Sequence, residues 1–258
     1  MVVYSYLCGE VRETLSDHVS NALKFYRSLD NSLFVRNVNV KLLRNFEFKE
    51  IVEYTVIFHD IGKVFYQENF ISKNCLSFVG HEFLSTLAFE FYVEELVKNN
   101  VLSTESAYIE FKYPILFSIL YHHHAMGYSL RLRRLSKIRV NRGLVEASIE
   151  NDVPQIVEPY VSKEKAVLQQ RALRNVLHVL MSNVSEVFEE IHSIGVNLWR
   201  QLEINPKLKK LALATLTTLI ILDYLSAYKG RKGPKLRFYR VLEQHYKILK
   251  KITANPMG

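Results

Sequence analysis

The stretch Phe58-His59-Asp60-Ile61-Gly62-Lys63 (FHDIGK) decides how this chain is read. It continues the apolar helical pattern EIVEYTVI (50–57), yet it carries an imidazole, a carboxylate and an ammonium into a segment patterned for burial. An ionised group buried alone is costly, so such groups take partners or a cation. Those partners have to come from elsewhere in the 258 residues.

Working outward, apolar residues at three- and four-residue spacing predict helices near 16–29, 47–66, 80–99, 105–125, 163–193, 207–227 and 236–252. Ser16 is expected to cap the first, with Asp17 in its favourable first turn. The opening VVYSYL reads as a short strand. Nine glycines and six prolines leave little turn material for a β architecture. Segment 143–165, more polar and carrying Pro154 and Pro159, is expected to be a long loop between helical halves. No internal repeat or low-complexity tract is visible. The predicted fold class is all-α: one helical domain over 1–258, with its site-bearing core over about 10–230 and a basic C-terminal helix over 231–258.

Hydrophobic residues make up 48% of the chain, enough for a sizeable core and too many for a disordered protein. The net charge of +8 favours polyanionic partners, nucleic acid first. Cys8 and Cys75 sit in no metal-type spacing and read as thiols of a reducing compartment, against a disulfide framework. The expected location is cytoplasmic. The N-terminal MVVYSYLCGEVR has no basic leader and too short an apolar run for a signal peptide. The longest apolar run, Leu211 to Leu222, has 12 residues, whereas a membrane span needs about 20. It predicts a buried core helix in a soluble protein with no membrane partner.

Other ionisable residues also lie on apolar helix faces. His18, in LSDHVSNALKFY, shares its face with Val11, Ala22 and Phe25. His81 opens a helix above the stripe Leu84, Ala88 and Phe91. Three histidines, 122–124, end the apolar PILFSILY run, with His122 and His123 the preferred pair and 123/124 the alternative register. Asp223 follows twelve uncharged residues and has Leu219, Ile220 and Ala227 as helical neighbours. Singly, each has a plain reading: a hydrogen-bonded core histidine, or a partly buried Asp60–Lys63 ion pair. His178 reads as core, His192 and His245 as surface.

Neighbouring helical residues diverge by about 100°, so His59 and Asp60 meet one site only in a groove between helices. Gly62 allows another helix to approach closely. A carboxylate bridges two ions, which an imidazole cannot. Mixed imidazole and carboxylate ligands without thiolate suit manganese, iron, cobalt or nickel, with magnesium preferring oxygen. The number of candidates fits two divalent ions sharing Asp60: Mn2+ first, with Mg2+, Co2+, Ni2+ or Fe2+ as alternatives.

The order LSDHV, FHDIGK, VGHE, YHHH, LDYLSA resembles the HD superfamily of metal-dependent phosphohydrolases, most closely the stand-alone HD nuclease subunit of CRISPR interference systems. The resemblance spans roughly residues 10 to 230 and implies an HD-type helical bundle. It implies one ion on His18, His59, Asp60 and Asp223, and a second on Asp60, His81, His122 and His123. Lys63 would lie beside the substrate phosphate and act with Asp60 in catalysis, and Ser226 would contact the ligands from behind or touch the phosphate. The continuation HAMGYS departs from the glycine-tyrosine-proline ending of the related cyclic-dinucleotide phosphodiesterases.

Two ions can activate a water and hold the attacking and leaving oxygens at phosphorus. Six basic and no acidic residues lie in 131–142 (Arg131, Arg133, Arg134, Lys137, Arg139 and Arg142), and six more basic residues in 229–240, including Lys229, Arg231 and Lys232. These tracts suit a polymer lying across the site, although charge runs are ordinarily solvated faces. Tyr121, Tyr128, Phe238 and Tyr239 are candidates for stacking on unpaired bases. The expected function is a metal-dependent nuclease, endo- or exonucleolytic, acting on single-stranded DNA, and by extension RNA, in CRISPR antiviral defence. The resemblance implies a CRISPR helicase subunit and an RNA-guided surveillance complex as partners. The alternatives are an HD phosphohydrolase acting on nucleotides or cyclic nucleotides, and a non-catalytic nucleic-acid-binding protein with a structural metal.

Overall fold

The computed structural model describes residues 2–72, 74–123, 126–231 and 237–251. It is 75% helical, so the expected helical class holds. A small four-stranded sheet joins the helices, and of its strands only the first was foreseen. The chain opens with the hairpin β1 (Tyr4–Cys8) and β2 (Val11–Thr14). Gly9, the first residue of its two-residue loop, has φ of +62°, a conformation that suits glycine in a hairpin turn. β3 (Phe70–Ser72) and β4 (Cys75–Leu76) complete an antiparallel order β2-β1-β4-β3. Cys8 and Cys75 are register partners with Cα atoms 4.0 Å apart and form a disulfide. This corrects the reading of two separate thiols: the sheet brings together residues that are 67 apart in sequence. The cysteines therefore no longer argue for a reducing compartment.

The helices are α1 (Leu15–Arg27), α2 (Leu33–Leu42), α3 (Phe48–Phe58), α4 (His81–Lys98), α5 (Glu105–Tyr121), α6 (Tyr128–Leu135), α7 (Arg142–Asn151), α8 (Val153–Val157), α9 (Lys163–Ser182), α10 (Val184–Ile204), α11 (Pro206–Arg231) and α12 (Arg237–Lys251). Thr14, not Ser16, caps α1. Its extended backbone ends β2, and its hydroxyl accepts from the Asp17 amide at 3.0 Å. The predicted helix 163–193 is two helices, because Asn183 leaves helical geometry and caps α10 by accepting from the Ser185 amide. The predicted loop 143–165 is largely α7 and α8. Pro154 sits in the first turn of α8, where its missing N–H is harmless, and Val145, Ile149, Val153, Ile156 and Val157 bury one face. The C-terminal part of the predicted basic helix, 252–258, lies outside the described residues, as does the segment 232–236.

Two helices organise the core. α5 is buried on every side from Glu110 to Leu120. α11 packs against α5, α1 and α3, while α4 packs against α9. α11 has the length and apolarity of a membrane span, but 56% of its most apolar window is buried inside the protein. Phe58, Phe89, Tyr92 and Phe111 interlock between α3, α4 and α5 at centroid distances of 4.9–6.3 Å. The buried Glu110 carboxylate accepts from the amides of Arg44, Asn45 and Phe46, and so satisfies the turn entering α3.

The helix expected over 47–66 also breaks. α3 stops at Phe58, Asp60 adopts φ −111° and ψ 0°, and a 3-10 turn runs from Ile61 to Tyr66. Gly62 lies in this turn against the start of α4, its amide donating to Ser85 Oγ at 2.9 Å. A Cβ on Gly62 would sit 2.3 Å from the His81 carbonyl oxygen and 2.7 Å from the Ser85 nitrogen. Both atoms are backbone, so no rotamer relieves the clash. Gly62→Ala is expected to destabilise the fold by about 1–3 kcal/mol. A lowered urea midpoint with an unchanged slope would report it.

Candidate metal centre

Five segments bring their polar side chains to one interior point. His18 comes from α1, His59 and Asp60 from the break after α3, His81 from the first residue of α4, His122 and His123 from the end of α5, and Asp223 from α11. α3 ends at Phe58 and the chain turns at Asp60 into a 3-10 turn, and His59 and Asp60 meet the site in the groove between helices, each from its own side. Gly80, with φ of +96°, turns the chain so that α4 begins at His81.

Backbone carbonyls fix the imidazoles. His59 Nδ1 donates to the Val56 carbonyl at 2.7 Å, His81 Nδ1 to Phe78 at 2.6 Å and His122 Nδ1 to Ile119 at 2.7 Å. A carbonyl only accepts, so each Nδ1 carries its ring's proton and each neutral ring presents a bare Nε2. The Nε2 atoms of His18, His59, His81 and His122 and Nδ1 of His123 are all buried without a hydrogen-bond partner. Buried polar atoms are normally satisfied, and five orphans around one point form a donor set.

The orphans fall into two groups joined by Asp60. His18, His59, Asp60 and Asp223 have ligand atoms within 4.8 Å of one another, and so do His81, His122 and His123. The first group is able to hold a metal ion. Asp60 Oδ2 lies 3.5 Å from His18 Nε2 and 3.4 Å from His59 Nε2, while Oδ1 lies 2.7 Å from His81 Nε2. Asp223 Oδ1 is 3.1 Å from His18 Nε2 and 3.8 Å from His59 Nε2. With the ring protons on Nδ1, such approaches set lone pairs against carboxylate oxygens. A cation between them makes the arrangement favourable.

The electrostatics match. Burial alone would raise the Asp60 carboxyl, but His59, Lys63 and His81 outweigh it and hold it well below the usual range. Burial also opposes charge on Asp223, and the adjoining His18 and His59 rings hold it well below the usual range. Burial and the neighbouring His59 and His81 push His122 down to about 4, so it stays neutral. Burial and His122 likewise push His123 down. Burial lowers His18, but Asp223, Glu13 and Asp60 push it up to about 9. A divalent cation would supply that positive charge in place of the proton.

His18 differs from the other rings in its support. Its Nδ1 lies 3.2 Å from Glu13 Oε1 and 3.2 Å from Ser226 Oγ, and Ser226 donates to the His18 carbonyl at 2.7 Å. Ser226 is fully buried, so it braces the histidine, and a direct phosphate contact is corrected. Glu13 is itself held by Ser5 at 2.9 Å and Arg231 at 3.1 Å. Lys63 is buried with its ammonium 2.6 Å from Asp60 Oδ2 and over the Phe78 ring. The plain ion pair and the ligand cluster are therefore both present.

The basic residues divide. Arg133, Arg134, Lys137, Arg139 and Lys229 are exposed. Arg131 is not: it is 8% exposed and forms a two-pronged ion pair with Glu82, at 2.5 and 2.7 Å. Its assignment to nucleic acid is corrected, because α6 turns that side chain inward to neutralise the carboxylate behind His81. Arg231 faces Glu13 and the Tyr6 ring. Lys232 and His124 lie outside the described residues. His178 is exposed, contrary to the core reading, while His192 and His245 are exposed as expected. Glu13 and Glu82 were missed. Glu82 had one legible signal, an acid beside His81 in the first turn of an apolar helix; Glu13 had none.

No protein-family model, curated protein or solved structure matches this chain.

Two outcomes follow from the geometry. Arg131→Met is expected to cost about 3–5 kcal/mol in urea unfolding by stranding Glu82, with most of the loss recovered in the double variant Glu82→Met/Arg131→Met. Mn2+ at about 100 times its Kd is expected to stabilise the protein by about 2.7 kcal/mol. That increment should vanish in Asp60→Asn, as read by thermal melting with and without the ion.

Proposed function

We propose that this protein is a metal-dependent phosphodiesterase cutting single-stranded nucleic acid, DNA first and RNA by extension. One observation carries the reading: Asp60 turns one oxygen toward His81 and the other toward His18 and His59. That is the disposition of a carboxylate bridging two cation sites, one on His18, His59, Asp60 and Asp223, the other on Asp60, His81, His122 and His123. Two divalent ions there, Mn2+ foremost, would supply the Lewis acidity that activates water and offsets charge at phosphorus.

The chain's own groups do the rest. His123 and Asp223 are the partly exposed members, so substrate and water arrive on their side. Lys63 places a buried ammonium beside the bridging carboxylate, where it offsets phosphoryl charge. Arg134, Lys137 and Arg139 line a cleft of about 240 Å3 with Tyr66, Phe70 and Val79, two residues ahead of His81. Exposed cations in the segment that follows the histidine cluster favour a polymer over a mononucleotide. On the resemblance to the CRISPR HD nucleases, the strand would come from a helicase subunit after an RNA-guided surveillance complex opens the duplex.

The test uses labelled single-stranded and duplex DNA, single-stranded RNA and free nucleotides, with and without Mn2+. Metal-dependent cutting of single strands is expected, falling on the order of 100-fold or more in Asp60→Asn. Turnover of free nucleotides with intact strands would select the nucleotide phosphohydrolase instead. Strand binding without turnover under any metal would select a non-catalytic binder.

A further inference from the structure

We infer that the cleft between α5, α6 and α10 is a nucleobase-stacking site, which holds the strand beside the metal centre; this rests on the reading above that the substrate is a single strand. The cleft, of about 540 Å3, is lined by Tyr121, Tyr128, Gly195, Trp199, Arg200 and Glu203 among others. Small-molecule sites span ~300–1,000 Å3. Trp199, the one tryptophan of the chain, is 41% exposed on α10. Its orientation is set in advance. Nε1 donates to the Tyr121 hydroxyl at 2.7 Å, and Phe117 meets the indole edge-on at 5.7 Å. Tyr121 stacks with Tyr128 at 6.0 Å and 25°, and Tyr128 is fixed edge-on against Phe83 at 5.2 Å. A large aromatic ring held rigidly and left open to water is what a stacking platform requires.

Position and charge identify the occupant. Tyr121 directly precedes His122, so the cleft wall and the ligand wall are about 3.8 Å apart along the backbone at the end of α5. A base seated here keeps its strand beside the ligand-bearing end of α5. Arg200 and Glu203 both line the cleft, so it carries no net charge from them, and Glu203 repels a phosphate. The neutral face of a base therefore fits where the backbone does not, and Arg200 adds a guanidinium plane. The floor at Gly195 is open: a Cβ added there meets nothing within 4 Å. Any base stacks on an aromatic face, so the site holds a strand without reading its sequence.

The lone tryptophan gives a readout independent of cleavage. In chelator, with no metal and no turnover, a single-stranded deoxyadenylate hexamer is expected to quench Trp199 fluorescence. An abasic oligonucleotide of equal length and charge is not. Gly195→Leu fills the cleft while keeping Trp199, and leucine is a better helix former than glycine. It should abolish the quenching and weaken hexamer binding about tenfold in fluorescence anisotropy. Equal quenching by both oligonucleotides, no quenching at any strand concentration, or wild-type quenching in Gly195→Leu would each overturn the inference. Cutting that persists without quenching removes the stacking site and leaves the metal-centre reading standing. Quenching without any metal-dependent cutting does the reverse.

Discussion

The structure is governed by a desolvation constraint. Five imidazole nitrogens with no hydrogen-bond partner and two carboxylates are gathered at one interior point. Three of the rings are clamped from behind by backbone carbonyls of their own segments, so their lone pairs cannot turn away. In water such groups would be solvated; in an apolar interior, unpaired, they are expensive. Only a concentrated positive charge makes the whole set favourable at once. A proton on His18, the Lys63 ammonium and a divalent ion are variants of the same solution, and the divalent ion answers the largest number of donors.

The elements around this point are arranged to hold it. α3 ends at Phe58, just before His59 and Asp60, and the following turn is pressed against α4 so closely that only glycine fits at position 62. At Gly230 the neighbour is a side chain: a Cβ there would crowd the buried Glu13 carboxylate, so glycine lets α11 cover the group that braces His18. The Glu82–Arg131 pair ties α6 beneath His81. These contacts are far apart in sequence and fix the angular position of each ligand.

The same arrangement gives the centre a direction. Asp60, His18, His59 and His81 are sealed, whereas Asp223 and His123 border solvent. Exposed cations of α6 and the segment after it line one cleft, and residues at the end of α5, in α6 and in α10 line a second, aromatic one. On the proposed function, the cations would meet the backbone of an unpaired strand and the flat faces its bases.

Much of this was legible in the residues. Periodicity located most of the helices because an apolar stripe is a local property. The seven candidate ligands were legible because a charged or imidazole side chain on such a stripe must be compensated. What misled was also physical. Pro154 and Pro159 suggested a loop, yet proline is tolerated in the first turn of a helix, and α8 exploits this. Arg131 looked like part of a solvated basic run because its partner, Glu82, lies on another helix. Cys8 and Cys75 looked unrelated until sheet pairing set them side by side. Trp199 had no visible link to Tyr121, 78 residues away. The sequence by itself determined which groups needed compensation, since burial and spacing are written in local order. Only the tertiary structure decided which groups compensate them, because partner choice depends on distances between segments that no local pattern encodes.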